Sequence, residues 1–261
     1  MNRGAHPEAP ASPRGLCLRK AAIVTIFAGF ASLCCSSLHS QEPFRLDAIH
    51  SFGFSTTFSP DSSHILIGDA EQRRIWTLGV EYSHLLHQGR RFRFDYEGSI
   101  MPLYEETDPF VSGTTFVLNG APVIFAQPPM RVIYVAHEPV GTFLTPGGTS
   151  VPIYDLAGRE DTYAAAFSPL GVRVSAFPRR RIQPSLSLDL GFVVSARDLP
   201  IEDSSWFNFL FSFGPGLQFF TSPNVSLRVE YLYRHASNAG LGDQNPGVDQ
   251  GVTRLTLSRR W

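Results

Sequence analysis

One segment near the end of the chain combines residue types suited to acyl transfer. Residues 235–240 read HASNAG and residues 245–249 read NPGVD. His235 and Ser237 are two residues apart, so an extended strand places both on one face. A histidine beside a serine can remove its proton, and a carboxylate such as Asp249 fixes the tautomer and stabilises the imidazolium. This pattern is compatible with a catalytic triad in which Ser237 is the nucleophile, His235 the base and Asp249 the orienting acid.

Groups beside this segment are candidates for an oxyanion hole. The side-chain amides of Asn238 and Asn245, or backbone N–H groups near Ala239 and Gly240, could stabilise a developing negative charge. A purely structural interpretation also stays open, in which Ser237 and Asn238 start a turn and residues 245–247 form another. Short patterns of this kind recur by chance.

Other chemistries find little support in the sequence. The motifs G-x-S-x-G and H-E-x-x-H, the P-loop and a clear metal-ligand cluster are all missing, so we expect no metal and no organic cofactor. The formal net charge of −1 gives no hint of nucleic-acid binding. Lys20 is the only lysine, and all three cysteines lie at or before Cys35, so thiol and Schiff-base mechanisms are excluded downstream.

The N-terminal region predicts export. Basic residues, Arg14, Arg19 and Lys20, precede an apolar run over residues 21–35 and a small-polar stretch. This order is typical of a signal peptide, which we assign to residues 1–40. A lipoprotein is disfavoured because no small residue precedes Cys34 or Cys35.

The rest of the chain alternates with period two, which is typical of β-strands with two unlike faces. One face is apolar and rich in aromatic residues, whereas the other carries charges of both signs. Most strands are long enough to cross a bilayer at a tilt, and soluble strands are usually shorter. We therefore predict an all-β fold, an eight-stranded antiparallel outer-membrane β-barrel over residues 41–261, with a lumen filled by paired charges. The eight segments are 44–55, 76–82, 92–100, 170–177, 186–194, 207–213, 227–235 and 252–261.

Connection lengths predict the orientation. Short turns belong to the periplasmic side of such barrels and long loops to the outside. The longest connection, residues 105–161, is predicted to be an extracellular loop able to form a hairpin. The parity of His235 and Ser237 matches the lipid-facing positions of their strand, and Asp249 shares the parity of Leu255. The three candidates are thus expected at the outward-facing rim of the barrel. The short turns are 86–91, 178–183 and 222–224; the other long connections are 60–74, 196–205 and 236–247.

The HASNAG and NPGVD runs resemble the lipid A 3-O-deacylase (PagL-type acyloxyacyl hydrolase) family. Residues 59–81 look like its first loop and second strand, and the terminal Trp261 resembles the end of outer-membrane barrels. The resemblance implies a base at His235, a nucleophile at Ser237, an acid at Asp249 and an oxyanion asparagine at Asn245, assisted by the amides of Ala239 and Gly240. The best-known form has glutamate at the acid position, one methylene longer than Asp249.

The resulting hypothesis is an outer-membrane serine esterase that removes an ester-linked acyl chain from lipid A. Lipopolysaccharide and membrane lipids are the expected partners, with a homodimer as a further expectation. Two alternatives stay open: a phospholipid esterase on the same barrel, and a non-catalytic structural or adhesive barrel that uses the loop 105–161.

Overall fold

The structure is a computed structural model, and it describes residues 48–261; the predicted signal peptide lies outside them. The described part consists of ten β-strands. Within it there is no helix long and apolar enough to cross a membrane. The strands are β1 (His50–Ser59), β2 (Arg74–Gln88), β3 (Phe92–Leu118), β4 (Ala121–Arg131), β5 (Gly141–Leu144), β6 (Ser150–Ala176), β7 (Ile182–Leu199), β8 (Ser205–Ser222), β9 (Val225–Ser237) and β10 (Val248–Arg260).

Eight of these strands close into a ring. Consecutive strands pair antiparallel from β6 through to β10, β10 pairs with β1, and β1 is followed by β2 and β3. Pairing of β3 with β6 completes the ring. Each strand therefore has a hydrogen-bonded neighbour on both sides, which leaves no open edge within the barrel wall. The predicted eight-stranded antiparallel barrel is confirmed.

The two faces of the wall differ as the alternation predicts. On β2 the side chains of Trp76, Leu78 and Tyr82 are exposed on the outside, whereas Thr77 and Glu81 are buried. The same pattern repeats around the ring, so large apolar side chains cover the exterior and polar ones fill the lumen. An exterior of this kind is stable only against lipid, because in water it would be a large uncovered apolar surface.

Ion pairs cross the lumen between strands that are far apart in sequence. Arg228 on β9 donates to Glu97 on β3 at 2.6 Å, and Arg173 on β6 donates to the same carboxylate at 2.6 Å. Arg254 on β10 donates to Glu230 at 2.6 Å and to Asp189 on β7 at 2.8 Å. Buried charges need such partners, and here the partners tie opposite walls together.

The predicted loop over residues 105–161 differs from the structure, which has strands in most of this segment. β3 continues to Leu118 and β6 starts at Ser150, so both strands extend past the length that a membrane requires. β4 and β5 flank them in the order β4-β3-β6-β5. Residues such as Pro109, Gly113 and Pro152 interrupt a clean alternation, yet cross-strand backbone pairing still forms the sheet.

Candidate active site

The candidate base and acid lie directly opposite each other on two neighbouring strands. His235 on β9 and Asp249 on β10 are register partners. The Nδ1 atom of His235 lies 2.7 Å from Oδ1 of Asp249. Asp249 is fully buried, whereas 15% of the His235 side chain is exposed. The strand register therefore forms the pair without help from flexible loops, and one edge of the imidazole still reaches the surface.

Three further donors hold the Asp249 carboxylate. Tyr233 donates its hydroxyl to Oδ1 at 2.8 Å. The backbone N–H groups of Leu66 and Ile67 donate to Oδ2 at 2.6 and 2.9 Å. With the imidazole this makes four contacts, and such a carboxylate stays ionised and fixed in orientation. Sequence reasoning did not single out these three residues; Tyr233 could have been found, because it stands two before His235 and shares its face.

The segment that covers Asp249, residues 62–70, is here called the covering loop. It is bridged to β10 twice, by Ser62 with Gln250 and by Ala70 with Val248. Gly68 packs so tightly that an added Cβ would lie 2.6 Å from the backbone nitrogen of Asp249 and 2.8 Å from its Oδ1. A side chain at position 68 would therefore push the covering loop off the carboxylate.

The covering loop is supported from residues 105–161, which are here called the extension. Arg73 donates to the carbonyls of Val132 and Ile133, both at 2.8 Å, and forms a buried ion pair with Asp108 at 3.1 Å. Gln72 exchanges two hydrogen bonds with the backbone of Val135, at 2.9 and 3.0 Å. Residues within the predicted loop 105–161 therefore stabilise the part of the chain that holds Asp249.

Ser237 is the last residue of β9 and stands beside Asn245. Its hydroxyl donates to Oδ1 of Asn245 at 3.0 Å, and the backbone N–H of Ala239 donates to Ser237 Oγ at 3.2 Å. The same Asn245 oxygen accepts from the backbone N–H of Asn238 at 3.2 Å. To transfer its proton to His235, the hydroxyl has to turn away from Asn245 about its side-chain torsion, a fast motion for an exposed side chain.

The remaining predicted support residues shape the connection between β9 and β10. Asn238 is buried, donates to the carbonyl of Gln244 at 2.8 Å and accepts from the N–H of Gly240 at 2.8 Å. The side-chain nitrogen and oxygen of Asn238 are thus both hydrogen-bonded within the connection. Ala239 and Gly240 have φ values of 51° and 83°, which produce the tight reversal after Ser237. The groups closest to Ser237 are therefore the Asn245 amide and the Ala239 N–H.

Comparison with known proteins finds a matching family model. Residues 142–257 match the model of the family described as lipid A 3-O-deacylase (PagL). The predicted resemblance to this family is confirmed. The matched part spans β6 to β9 and most of β10, and it includes His235, Ser237 and Asp249. Together with the barrel, the PagL match confirms the expected outer-membrane location.

Solved structures similar to this chain are outer-membrane proteins. The outer-membrane enzyme PagL aligns at 14% identity over 80% of this chain and 97% of its own, with a TM-score of 0.43. OprG from Pseudomonas aeruginosa aligns at 10% identity over 85% and 99%, with a TM-score of 0.41. Neisserial surface protein A aligns at 12% identity over 81% and 95%, with a TM-score of 0.36. None of the curated protein sequences matches this chain.

Proposed function

We propose that this protein is a lipid A 3-O-deacylase of the outer membrane in which Ser237, His235 and Asp249 act as the catalytic triad. The observation that carries the proposal is the 2.7 Å contact between His235 and the fully buried carboxylate of Asp249. His235 stands two residues before Ser237 at the rim of the barrel. The PagL family match supports the class of reaction and the substrate.

The carboxylate contact defines which imidazole nitrogen acts as the base. When Nδ1 carries the proton that it donates to Asp249, Nε2 is left with a free lone pair. Nε2 can then accept the hydroxyl proton of Ser237, and the resulting imidazolium is stabilised by Asp249. A tautomer with the proton on Nε2 would leave no base for Ser237.

The reaction then proceeds in two steps, acylation of Ser237 and hydrolysis of the acyl-enzyme. Ser237 Oγ attacks the ester carbonyl while its proton moves to His235. The tetrahedral intermediate collapses, the sugar hydroxyl leaves with the proton from His235, and the acyl group stays on Ser237 as an ester. Water attacks this acyl-enzyme while His235 takes a proton from it. The second tetrahedral intermediate then collapses, His235 returns the proton to Ser237 Oγ, and a fatty acid leaves. The Ala239 N–H and the side-chain Nδ2–H group of Asn245, once its amide turns toward the substrate, are proposed to stabilise the negative oxygen in both steps.

The position of the triad also favours a lipid substrate. His235 and Ser237 lie on the parity of the exposed apolar side chains, beside Phe209, which pairs with Ser237 and is itself exposed. A lipid of the outer leaflet already has its acyl chains alongside this wall. Because such a substrate arrives within the membrane plane, it loses little translational freedom on binding.

The test uses the barrel purified from outer membranes with purified lipopolysaccharide, and reads the lipid A by mass spectrometry. The wild type is expected to remove one ester-linked hydroxyacyl chain, whereas Ser237→Ala and His235→Ala leave lipid A intact. Ser83→Ala, a lumen serine on β2, is the matched control and should retain activity. Unchanged lipid A with the folded wild type would contradict the proposal, and fatty acid released from added phospholipid instead would favour the phospholipid esterase.

A further inference from the structure

The tip of the covering loop presents three large apolar side chains on the outside of the molecule. Ile65, Leu66 and Ile67 are 44%, 59% and 66% exposed. Three consecutive exposed aliphatic residues are unfavourable in water, since each loses the free energy that burial would provide. Nothing in the fold of a connection between two strands requires this composition.

The same residues supply the backbone donors for the catalytic carboxylate. The N–H groups of Leu66 and Ile67 bind Asp249 Oδ2, while their side chains project outward. The position of the tip and the orientation of Asp249 are therefore mechanically linked. If the tip moves away from β10, Asp249 loses two of its four donors and His235 loses a rigidly held partner.

The tip is continuous with the lipid-facing wall. The covering loop lies between the end of β1 and the start of β2, where Phe58 and Trp76 are exposed on the apolar exterior, and it is bridged to the start of β10. The acyl chains that surround that exterior are the one apolar phase available to the tip. Contact with them would bury Ile65, Leu66 and Ile67 without any change in the barrel.

We propose that the covering loop makes the activity depend on lipid: its tip inserts among the acyl chains of the outer leaflet, and this insertion holds the Leu66 and Ile67 donors on Asp249. Leu66 and Ile67 are thus positioning residues, which act on the reaction through Asp249. This inference rests on the proposed function, because it assigns a role to the carboxylate of that triad.

The kinetic test measures hydrolysis of p-nitrophenyl butyrate by the barrel in phosphatidylcholine vesicles. This ester is short and water-soluble, so it does not depend on the tip for binding. For L66S/I67S we expect kcat to fall at least about tenfold with little change in KM, because losing the burial of two methylene groups already shifts the loop equilibrium by more than that factor. The conservative variant L66V/I67V should restore most of kcat. Leu170→Ser, an equally exposed position on β6, is the control and should match the wild type.

A second measurement tests insertion directly. All cysteines lie at or before Cys35, within the predicted signal peptide, so Leu66→Cys provides a single site for a nitroxide label in the barrel. In vesicles the label should be accessible to oxygen and protected from a water-soluble nickel chelate. Protection from oxygen and free access of the chelate would place the tip in water and overturn the proposal.

The possible kinetic results separate two claims. Hydrolysis that is absent in the wild type, or unaffected by Ser237→Ala, would contradict the proposed function. Ser237-dependent hydrolysis with an unchanged kcat in L66S/I67S would contradict only the role of the tip. An equal loss of kcat in L66S/I67S and in Leu170→Ser would also overturn the role of the tip. The loss would then be a general result of polar substitution on the exterior.

Discussion

At the scale of single residues, the site depends on one buried carboxylate. Asp249 is fully buried and contacts an imidazole, a phenol and two backbone N–H groups. Removing any of these donors weakens the hold on the carboxylate that orients His235, and each such hydrogen bond to an ionised group contributes on the order of 1 kcal/mol or more. The residues around Asp249 are therefore expected to affect the rate more than substrate binding.

Tyr233→Phe removes one of the four donors and keeps the ring. We expect kcat to fall about fivefold, the equivalent of roughly 1 kcal/mol, with KM unchanged. The measurement is steady-state hydrolysis of a short-chain ester in vesicles. Tyr231→Phe is the matched control, since Tyr231 is exposed on the same strand and face. Equal rates for the wild type and Tyr233→Phe would show that the phenol contributes nothing to catalysis.

Asp249→Glu tests the departure from the best-known family form. The extra methylene has to fit between β10 and the covering loop, where Leu66 N already lies 2.6 Å from the carboxylate. Overpacking of this kind costs about 1–3 kcal/mol, so we expect kcat to fall at least roughly tenfold. Asp243→Glu, in the exposed part of the β9–β10 connection, is the control. A fully active Asp249→Glu would mean that the covering loop yields more easily than its contacts suggest.

The candidate triad could be proposed from sequence, whereas the backbone donors that support it could not. His235, Ser237 and Asp249 carry chemistry in their side chains, and their parity on two strands already indicated a shared face. The Leu66 and Ile67 donors are backbone groups, which every residue except proline possesses, so no residue type marks them. Gly68 was the one available signal, because only a glycine allows the observed approach to Asp249.

At the scale of elements, the extension supports the rim that carries the candidate triad. The covering loop is held on one side by β10 and on the other by residues 132–135, which follow β4. The predicted loop 105–161 thus helps to hold the covering loop in place. This support also explains why the connection between β1 and β2 can cover Asp249 although it contains no regular strand of its own.

Gln72→Ala is expected to loosen the covering loop without unfolding the barrel. Its two hydrogen bonds to Val135 are lost, which raises the population of open loop by about tenfold. Hydrogen exchange at Leu66 and Ile67 should accelerate by that factor, and kcat should fall about fivefold. Gln127→Ala, on the exposed face of β4, is the control. Unchanged exchange at both amides would contradict the supporting role of the extension.

The barrel strands were predictable, but the extension was not. Alternation in segments such as 76–82 and 207–213 reflects a wall between lipid and a polar lumen, which constrains every second residue. Above the membrane this constraint ends, and prolines such as Pro109 and Pro152 obscure the pattern. There the strands arise from pairing between β3 and β6, which is a property of two distant segments together.

At the scale of the whole molecule, the lumen ion network holds the ring together. Glu230 contacts Arg254 at 2.6 Å, Arg228 at 3.1 Å and Ser187 at 2.6 Å, and so connects β9 with β10 and β7. Removing one member leaves the others buried without compensation, which typically costs 3–5 kcal/mol. The network lies on the opposite face of the wall from the triad, so stability and chemistry are separable.

Glu230→Ala should therefore lower the free energy of unfolding by about 3–5 kcal/mol while the folded fraction keeps its kcat. Urea unfolding in vesicles measures the free energy of unfolding, and ester hydrolysis measures kcat. The control is Glu160→Ala, which removes an exposed ion pair with Arg197 and should cost less than about 1 kcal/mol. Equal losses in the free energy of unfolding in both variants would contradict a special contribution of the lumen network to stability.

The most direct test of the triad is to identify the residue that becomes covalently modified. A fluorophosphonate reacts with a serine only when a neighbouring base activates it. Trypsin cuts after Arg234 and Arg254, so one peptide, residues 235–254, carries all three candidates. Mass spectrometry should find the adduct on Ser237 in the wild type and no adduct in Ser237→Ala or His235→Ala. Labelling of another serine, or lipid A deacylation by an enzyme that lacks Ser237, would contradict the account.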